Sequence, residues 1–340
     1  MSLGRAAFFA GGTHSPQPLG LTWTVAPQET KMGTSSLQHA NIERRRDLPF
    51  IHHAYPDTRA ALSESDQWLG VIIVNFRSAN LTIRSVSSIV RQGIAKIEHI
   101  VVVDNNSGDG SVDRIARAFP KLRLIASREN KGFGAGVNIG LKYVREKYVL
   151  VLNPDTYFKN NSIFKAIFYM LDHPDVGIAG LDLVNTDGSR QYSARRFYSL
   201  LDVVGRRVGF VGRLLRQRMD RHLMKEAWRN GKPFDAEWIM GTGFVVKRNL
   251  IAALGGMDEA YFLYMEDVDL CARVWNSGFR VVCVPNARLV HDHQRSSATN
   301  PLSFAARQHI VSLAKFAAKF SVPVFQQPGI DGIREAHRIH

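Results

Sequence analysis

Val71-Ile72-Ile73-Val74, followed by Asn75-Phe76-Arg77-Ser78, is the stretch that decides the fold. Four β-branched apolar residues in a row, with no polar alternation, form the pattern of a strand covered on both faces. Toward the C terminus the pattern repeats. A helix spans about 81–91, and a second strand, His99-Ile100-Val101-Val102-Val103, ends at Asp104. Asn105-Asn106-Ser107-Gly108-Asp109-Gly110 is turn chemistry, with Ser111 placed to cap the next helix. A third strand at about 123–126, a glycine-rich turn, a helix around 137–142 and the strand from Tyr148 to Leu152 complete the set. Four strands alternating with three helices predict an α/β fold with a doubly wound, mostly parallel central sheet. Ligands of such a sheet sit at the carboxyl ends of its strands.

On the N-terminal side, residues 1–66 mix Gly, Pro, Ser, Thr, Gln and His around the basic knot Arg44-Arg45-Arg46. They show neither helical nor strand periodicity and read as a disordered arm. Beyond Leu152 the rhythm changes. Asp182 to Tyr192 reads as an extended hairpin region, followed by a long basic segment, 195–232. Glu237 to Val246 and Arg280 to Pro285 read as further strands, and Pro301 to Phe320 as an amphipathic helix. The expected organisation is an arm over 1–66, a catalytic domain over 67–297, and a C-terminal helix and tail over 298–340.

A chain of 340 residues, 45% of them hydrophobic, is long enough for one large core with extensions. Two cysteines, Cys271 and Cys283, supply neither a disulfide framework nor a paired-cysteine metal site, which fits a reducing cytosol. No apolar run approaches the roughly 20 residues needed to cross a bilayer. The net charge of +14 predicts attraction to something anionic: a nucleotide diphosphate, an acidic membrane surface or a nucleic acid.

Several residues carry candidate chemistry. Asp104, at a strand end, is placed either to accept a hydrogen from a nucleotide base or to cap its own turn. Asn130-Lys131-Gly132-Phe133-Gly134-Ala135-Gly136-Val137-Asn138 opens a helix with three glycines, where backbone N–H groups approach phosphate closely and Lys131 adds charge. It is not a GxGxxG turn after the first strand, and no GKS or GKT follows, so dinucleotide and P-loop readings lose support. Asp155, behind the rigid Pro154, is placed to hold Mg²⁺ or Mn²⁺ against a diphosphate. The histidines of Val290-His291-Asp292-His293 offer a further ligand, which favours Mn²⁺. Finally, Tyr264-Met265-Glu266-Asp267-Val268-Asp269-Leu270 opens an amphipathic helix with two adjacent carboxylates. They are either dipole-favoured capping charges or the base of an active site.

Taken in order, these pieces resemble the inverting glycosyltransferases of family 2 with the GT-A fold, in particular the rhamnosyltransferase-like members. The similarity runs from about Gly70 to Ser297. It rests on Val71 to Phe76, Val103-Asp104-Asn105-Asn106-Ser107, Asn130-Lys131-Gly132-Phe133, Leu152-Asn153-Pro154-Asp155, Trp238-Ile239-Met240-Gly241, the Glu266–Asp267 pair and Val290-His291. The resemblance implies that Asn75, Asp104, Asn130, Gly132, Asn138 and Asn153 bind the nucleotide-sugar. It implies that Asp155 and His291 hold a divalent cation and that Asp267 is the general base. Trp238, Gly241 and Glu266 would form the acceptor side. Asn153 stands where a strict DXD has its first acid, leaving one carboxylate beside the cation. The implied reaction moves a sugar, rhamnose by the resemblance, from a nucleotide-diphosphate donor to a glycan or polyprenyl-diphosphate-linked acceptor. The implied setting is cell-surface polysaccharide synthesis on the cytoplasmic side.

The basic segment interleaves Arg195, Arg206, Arg207, Arg213 and Arg218 with Val204, Phe210 and Leu214. It suits either a peripheral contact with an anionic membrane at the inner face or a solvated flap. No nucleic-acid-binding module is present, which disfavours that partner. Two rival readings remain: a nucleotidyltransferase, whose glycine- and lysine-rich signature after the first strand is missing here, and a catalytically silent binding protein of the same shape.

Overall fold

The computed structural model describes residues 68–199, 202, 216–292 and 303–338, all within one compact unit, Glu64–His340. The arm expected over 1–66, the middle of the basic segment, and His293 lie outside the described residues.

Strand β1 (Leu69–Asn75) is buried along its whole length. Its residues alternate between two apolar layers: Ile72 and Val74 belong to one cluster, Leu69, Val71 and Ile73 to the other. This two-sided burial is why the sequence shows no polar alternation. Helix α1 (Ala79–Arg91) leads to β2 (Ile100–Asp104), α2 (Ser111–Ala118) to β3 (Arg123–Ala126), and α3 (Phe133–Leu141) to β4 (Tyr148–Leu152). These four strands pair in parallel in the order β3-β2-β1-β4. Helix α3 begins four residues before its expected start because its glycines are packing devices. A Cβ on Gly136 would lie 2.6 Å from Val74, and one on Gly140 2.6 Å from Ile72, so the helix seats directly on β1.

After β4 come the short β5 (Thr156–Tyr157), α4 (Phe164–Asp172) and β6 (Val176–Val184). The second half of the sheet departs from the expected layout. The hairpin expected over Asp182 to Tyr192 is present but short: the nine-residue buried β6 ends at Val184, the turn at 185–189 reverses the chain, and Arg190 and Gln191 pair back on Val184 and Leu183. Further on lie β7 (Ala194–Arg195), α5 (Arg216–His222), α6 (Lys225–Arg229) and β8 (Phe234–Asp235). The strand expected over 237–246 is two strands. β9 (Trp238–Ile239) pairs with β7 in a separate ribbon, and β10 (Gly243–Lys247) enters the main sheet antiparallel to both β4 and β6. The sheet is therefore mixed: four parallel strands, then β10 reversed.

After α7 (Arg248–Ala253) and α8 (Glu266–Asn276), β11 (Arg280–His291) continues six residues past Pro285. The register shift between Val284 and Arg288, with Asn286 at φ 67°, forms a bulge that absorbs the missing proline donor. Helix α9 (Phe304–Lys319) and an unforeseen α10 (Gly329–Arg338) bring Phe316, Phe320 and Ile333 into the first apolar layer.

Candidate active site

Sheet register brings the chemistry-bearing residues to one edge. Asn75 and Asp104 are paired at the carboxyl ends of β1 and β2. β4 ends beside them and delivers Asn153, Pro154 and Asp155. Because β10 runs antiparallel, its first residue, Gly243, pairs with Leu152 at that same end. Thr242 then accepts a hydrogen bond from the Asn153 N–H at 3.0 Å. The neighbouring Gly241 N–H donates to Asp267 Oδ2 at 2.7 Å. Residues 26 apart in one case and 89 apart in the other are thus tied by hydrogen bonds from backbone N–H groups, to a carboxylate and to a carbonyl respectively. His291 arrives by a third route, paired with Thr156 as β11 meets β5, while the Asp292 N–H donates to the Asp155 carbonyl at 2.9 Å.

An open cavity of about 600 Å³ lies at this edge, bounded by Val74, Phe76, Asn105, Asn130, Gly132, Asn153, Asp155 and Phe262. Of the residues expected to bind the nucleotide-sugar, Asn130, Gly132 and Asn153 line it, as does the expected cation ligand Asp155. Asn130 Oδ1 accepts from Asn105 Nδ2 at 2.9 Å and from the Gly132 N–H at 3.0 Å, fixing the cavity rim. Gly132 has φ 97°, and a Cβ there would collide with the Phe262 backbone, so only glycine fits. Asn105 and Phe262 went unforeseen: the first sits in a turn read for its geometry alone, the second in a loop without periodicity.

Other residues expected at the nucleotide-sugar are hydrogen-bonded within the scaffold. Asp104 makes the turn contacts of its second reading. Its carboxylate, 1% exposed, accepts from Asn75 Nδ2 at 2.7 Å and from the Ser107 hydroxyl and N–H at 2.6 and 2.9 Å. Asn75 is fully buried and also accepts from Thr82 at 2.7 Å. Asn138 clamps the Met257 backbone through both its amide atoms, at 2.8 Å each, and does not line the cavity. Lys131 pairs with Glu129 at 2.7 Å, both exposed. Trp238, expected beside an acceptor sugar, is a core residue: 4% exposed, bonded to the Arg196 carbonyl at 2.7 Å and packed on Tyr198.

Asp155 and His291 meet directly, with His291 Nε2 3.3 Å from Asp155 Oδ2. Asp155 Oδ1 is buried and has no hydrogen-bond partner. A buried carboxylate oxygen without a donor, beside an imidazole nitrogen, suits a divalent cation. Among the described residues no three His, Cys, Asp or Glu side chains cluster, so Asp155 and His291 are the two that could hold a cation there. Diphosphate oxygens and water would complete the shell, as Mg²⁺ and Mn²⁺ accept.

The Glu266–Asp267 pair opens α8 behind Tyr264 and Met265, two consecutive non-glycine residues at φ 66° and 72°. Such left-handed pairs are costly and re-aim the chain sharply. Asp267 is half-buried. Its Oδ2 is held by Gly241 as above, and Oδ1 accepts from the Val268 N–H at 2.8 Å. A Cβ on Gly241 would press within 3.1 Å of Asp267, so the glycine allows this approach. Burial pushes the Asp267 carboxyl above its ordinary value, opposed by the two N–H donors and by Arg195. Glu266, 7% exposed with Oε2 unpartnered, is pushed up to about 8 by burial and by the Asp267 charge. The two N–H donors favour the ionised form of Asp267, whereas Glu266 Oε2 has no donor to offset its burial.

A second cavity of about 450 Å³ has Gln191, Tyr192, Arg195, Met240 and His291 in its walls. Met240 precedes Gly241, and His291 touches Asp155, so this cavity adjoins the first at the Asp155–His291 contact.

Comparison with known proteins places this geometry. The family model described as glycosyl transferase family 2 matches residues 70–241. An N-acetylglucosaminyl-diphospho-decaprenol L-rhamnosyltransferase of Mycobacterium tuberculosis is 30% identical over 225 residues, covering 62% of this chain and 71% of that protein. Rhamnosyltransferase WbbL of Escherichia coli is 28% identical over 228 residues, covering 64% and 82%. A mannosyltransferase from Pyrobaculum calidifontis, solved with GDP-Man and Mn²⁺, superposes with a TM-score of 0.50 at 19% identity, covering 80% of this chain and 71% of that one. At that identity the structural likeness speaks for the GT-A fold alone.

Proposed function

The chain belongs to glycosyl transferase family 2, and on that premise we propose that it moves rhamnose from a nucleotide-diphosphate donor to an acceptor hydroxyl. The proposed acceptor is a sugar carried on a polyprenyl diphosphate, in the making of a cell-surface polysaccharide. The Mycobacterium tuberculosis relative, named for such an acceptor, supports this choice. The observation that carries the mechanism is the hydrogen-bonded path from Asp267 through Gly241 and Thr242 to Asn153, two residues from Asp155. It holds a base and a cation-ligating carboxylate on one sheet edge.

Asp155 and His291 would hold the divalent cation, which when bound would supply positive charge against the departing diphosphate. The donor lies in the larger cavity, its base and ribose against the Asn105–Asn130 rim. The acceptor enters from the smaller cavity. Asp267, ionised by its two N–H donors yet raised by burial, takes the proton of the attacking hydroxyl. A carboxylate so poised contributes about 10²–10⁴-fold. The hydroxyl oxygen bonds to the anomeric carbon as the diphosphate oxygen leaves from the opposite face, so the configuration inverts. With Glu266 neutral, Asp267 has no adjacent like charge, and Asp269, also in the first turn, is paired with Arg273 and Lys319.

The test presents rhamnosyl and other sugar nucleotides of UDP, GDP and dTDP together with an N-acetylglucosaminyl-diphospho-lipid. Transfer with inverted anomeric configuration, abolished by EDTA and restored by Mn²⁺ or Mg²⁺, is the expected result. Donor hydrolysis without transfer to any lipid-linked acceptor would overturn the reading.

A further inference from the structure

A directed series of hydrogen bonds runs from the 185–189 turn to the cation site, and Gln191 is its last link. The ionised Asp187 can only accept, and it takes the Ser189 hydroxyl proton at 2.6 Å. The Ser189 oxygen is then free to accept from Asn185 Nδ2 at 2.7 Å. That turns Asn185 Oδ1 toward Gln191 Nε2, at 2.5 Å, and the same Nε2 also reaches the His291 carbonyl at 3.0 Å. With its nitrogen spent, Gln191 presents Oε1 to His291 Nδ1 at 2.7 Å. An amide oxygen cannot donate, so Nδ1 carries the proton of the neutral ring. The ring's lone pair then lies on Nε2, the atom beside Asp155. The opposite tautomer would aim an N–H at the space between His291 and Asp155.

We propose that Gln191 is a positioning residue: it locks His291 in the tautomer whose Nε2 ligates the divalent cation, with its own orientation set by Asn185, Ser189 and Asp187. The inference rests on the cation reading given above. Partners of this kind behind a metal-binding histidine are worth about 10–100-fold in metal affinity.

The alternative role for Gln191 is to pin the turn against β11 through its Nε2 bonds, and two variants separate the roles. Gln191→Leu removes every side-chain bond. Gln191→Glu keeps an oxygen facing Nδ1 but loses both Nε2 donations. Mn²⁺ is titrated by calorimetry and by electron paramagnetic resonance, with whichever of UDP, GDP or dTDP gives the largest thermal shift. Gln191→Leu should bind Mn²⁺ about 10–100-fold more weakly, and Gln191→Glu within a few-fold of the parent. Equal affinity for Gln191→Leu, or an equal loss in both variants, would overturn the proposal. A parent protein that binds no Mn²⁺ would instead overturn the cation reading on which it stands. Should Gln191→Leu fail to fold, the ¹⁵N shifts of His291 in the metal-free parent at alkaline pH decide the matter. A proton on Nδ1 is expected, and a proton on Nε2 refutes the assignment.

Discussion

Two adjacent carboxyls at the start of one helix meet different surroundings. Glu266 is buried with an oxygen that lacks a donor, whereas Asp267 receives two N–H groups. The stability consequence follows from the sign of the shift. Glu266 binds its proton more tightly folded, with a value of about 8, than unfolded, near 4.5. Its neutral form costs the fold nothing below the lower value, and stability falls as pH rises from about 4.5 to about 8. Glu266→Gln has no such loss and should melt above the parent at pH 9, by an amount on the order of a few kcal/mol, while the two converge near pH 4. A parallel pair of melting curves across that range would refute the assignment. The positions of Asp155, His291 and Asp267 at one end of the sheet were legible because each ends or opens a strong apolar run. Asp104 and Asn75 were legible as strand-end polar residues, but not their hydrogen bonds, since a carboxylate facing its own turn and one facing a ligand look alike. Gln191 left no mark, because its partner lies 100 residues away.

Glycines decide how the elements approach the site. The run from Asn130 to Asn138 reads in the sequence as a phosphate cradle; in the structure its Gly136, with Gly140 one turn on, lets α3 sit on β1. Gly136 meets Val74, which lines the larger cavity, whereas Gly140 meets Ile72 in the interior. Gly136→Ala and Gly140→Ala should each cost about 1–3 kcal/mol of stability in urea titration, as overpacked sites do. Only Gly136→Ala should also weaken donor binding, and equal donor affinity in the two variants would contradict this account. The parallel half of the sheet was legible because unbroken apolar runs have one reading at that length. The mixed half was not. Gly241 breaks one apparent strand into two that join different sheets, glycines and Asp182 dilute the apolar run of β6, and Pro285 hides the continuation of β11.

At the scale of the molecule, charge and exposure bear on where the enzyme works. No described helix is long and apolar enough to cross a membrane. The net charge is +14, and α9 exposes Phe304, Ile310 and Val311 near Arg307 with no acidic residue along its length. Association with anionic vesicles in flotation is expected at an ionic strength of about 0.01 M and should be lost at about 1 M, where the screening length falls to about 3 Å. No flotation at low salt would remove the membrane contact. In the proposed mechanism one sheet edge gathers Asp155, His291 and Asp267 from three separate stretches of chain around one sugar transfer. The most direct test is Asp267→Asn, measured for single-turnover transfer and for sugar-nucleotide affinity on the same preparation. Turnover should fall by about 10²–10⁴-fold while the donor Kd stays within a few-fold of the parent. Transfer at the parent rate would contradict the account.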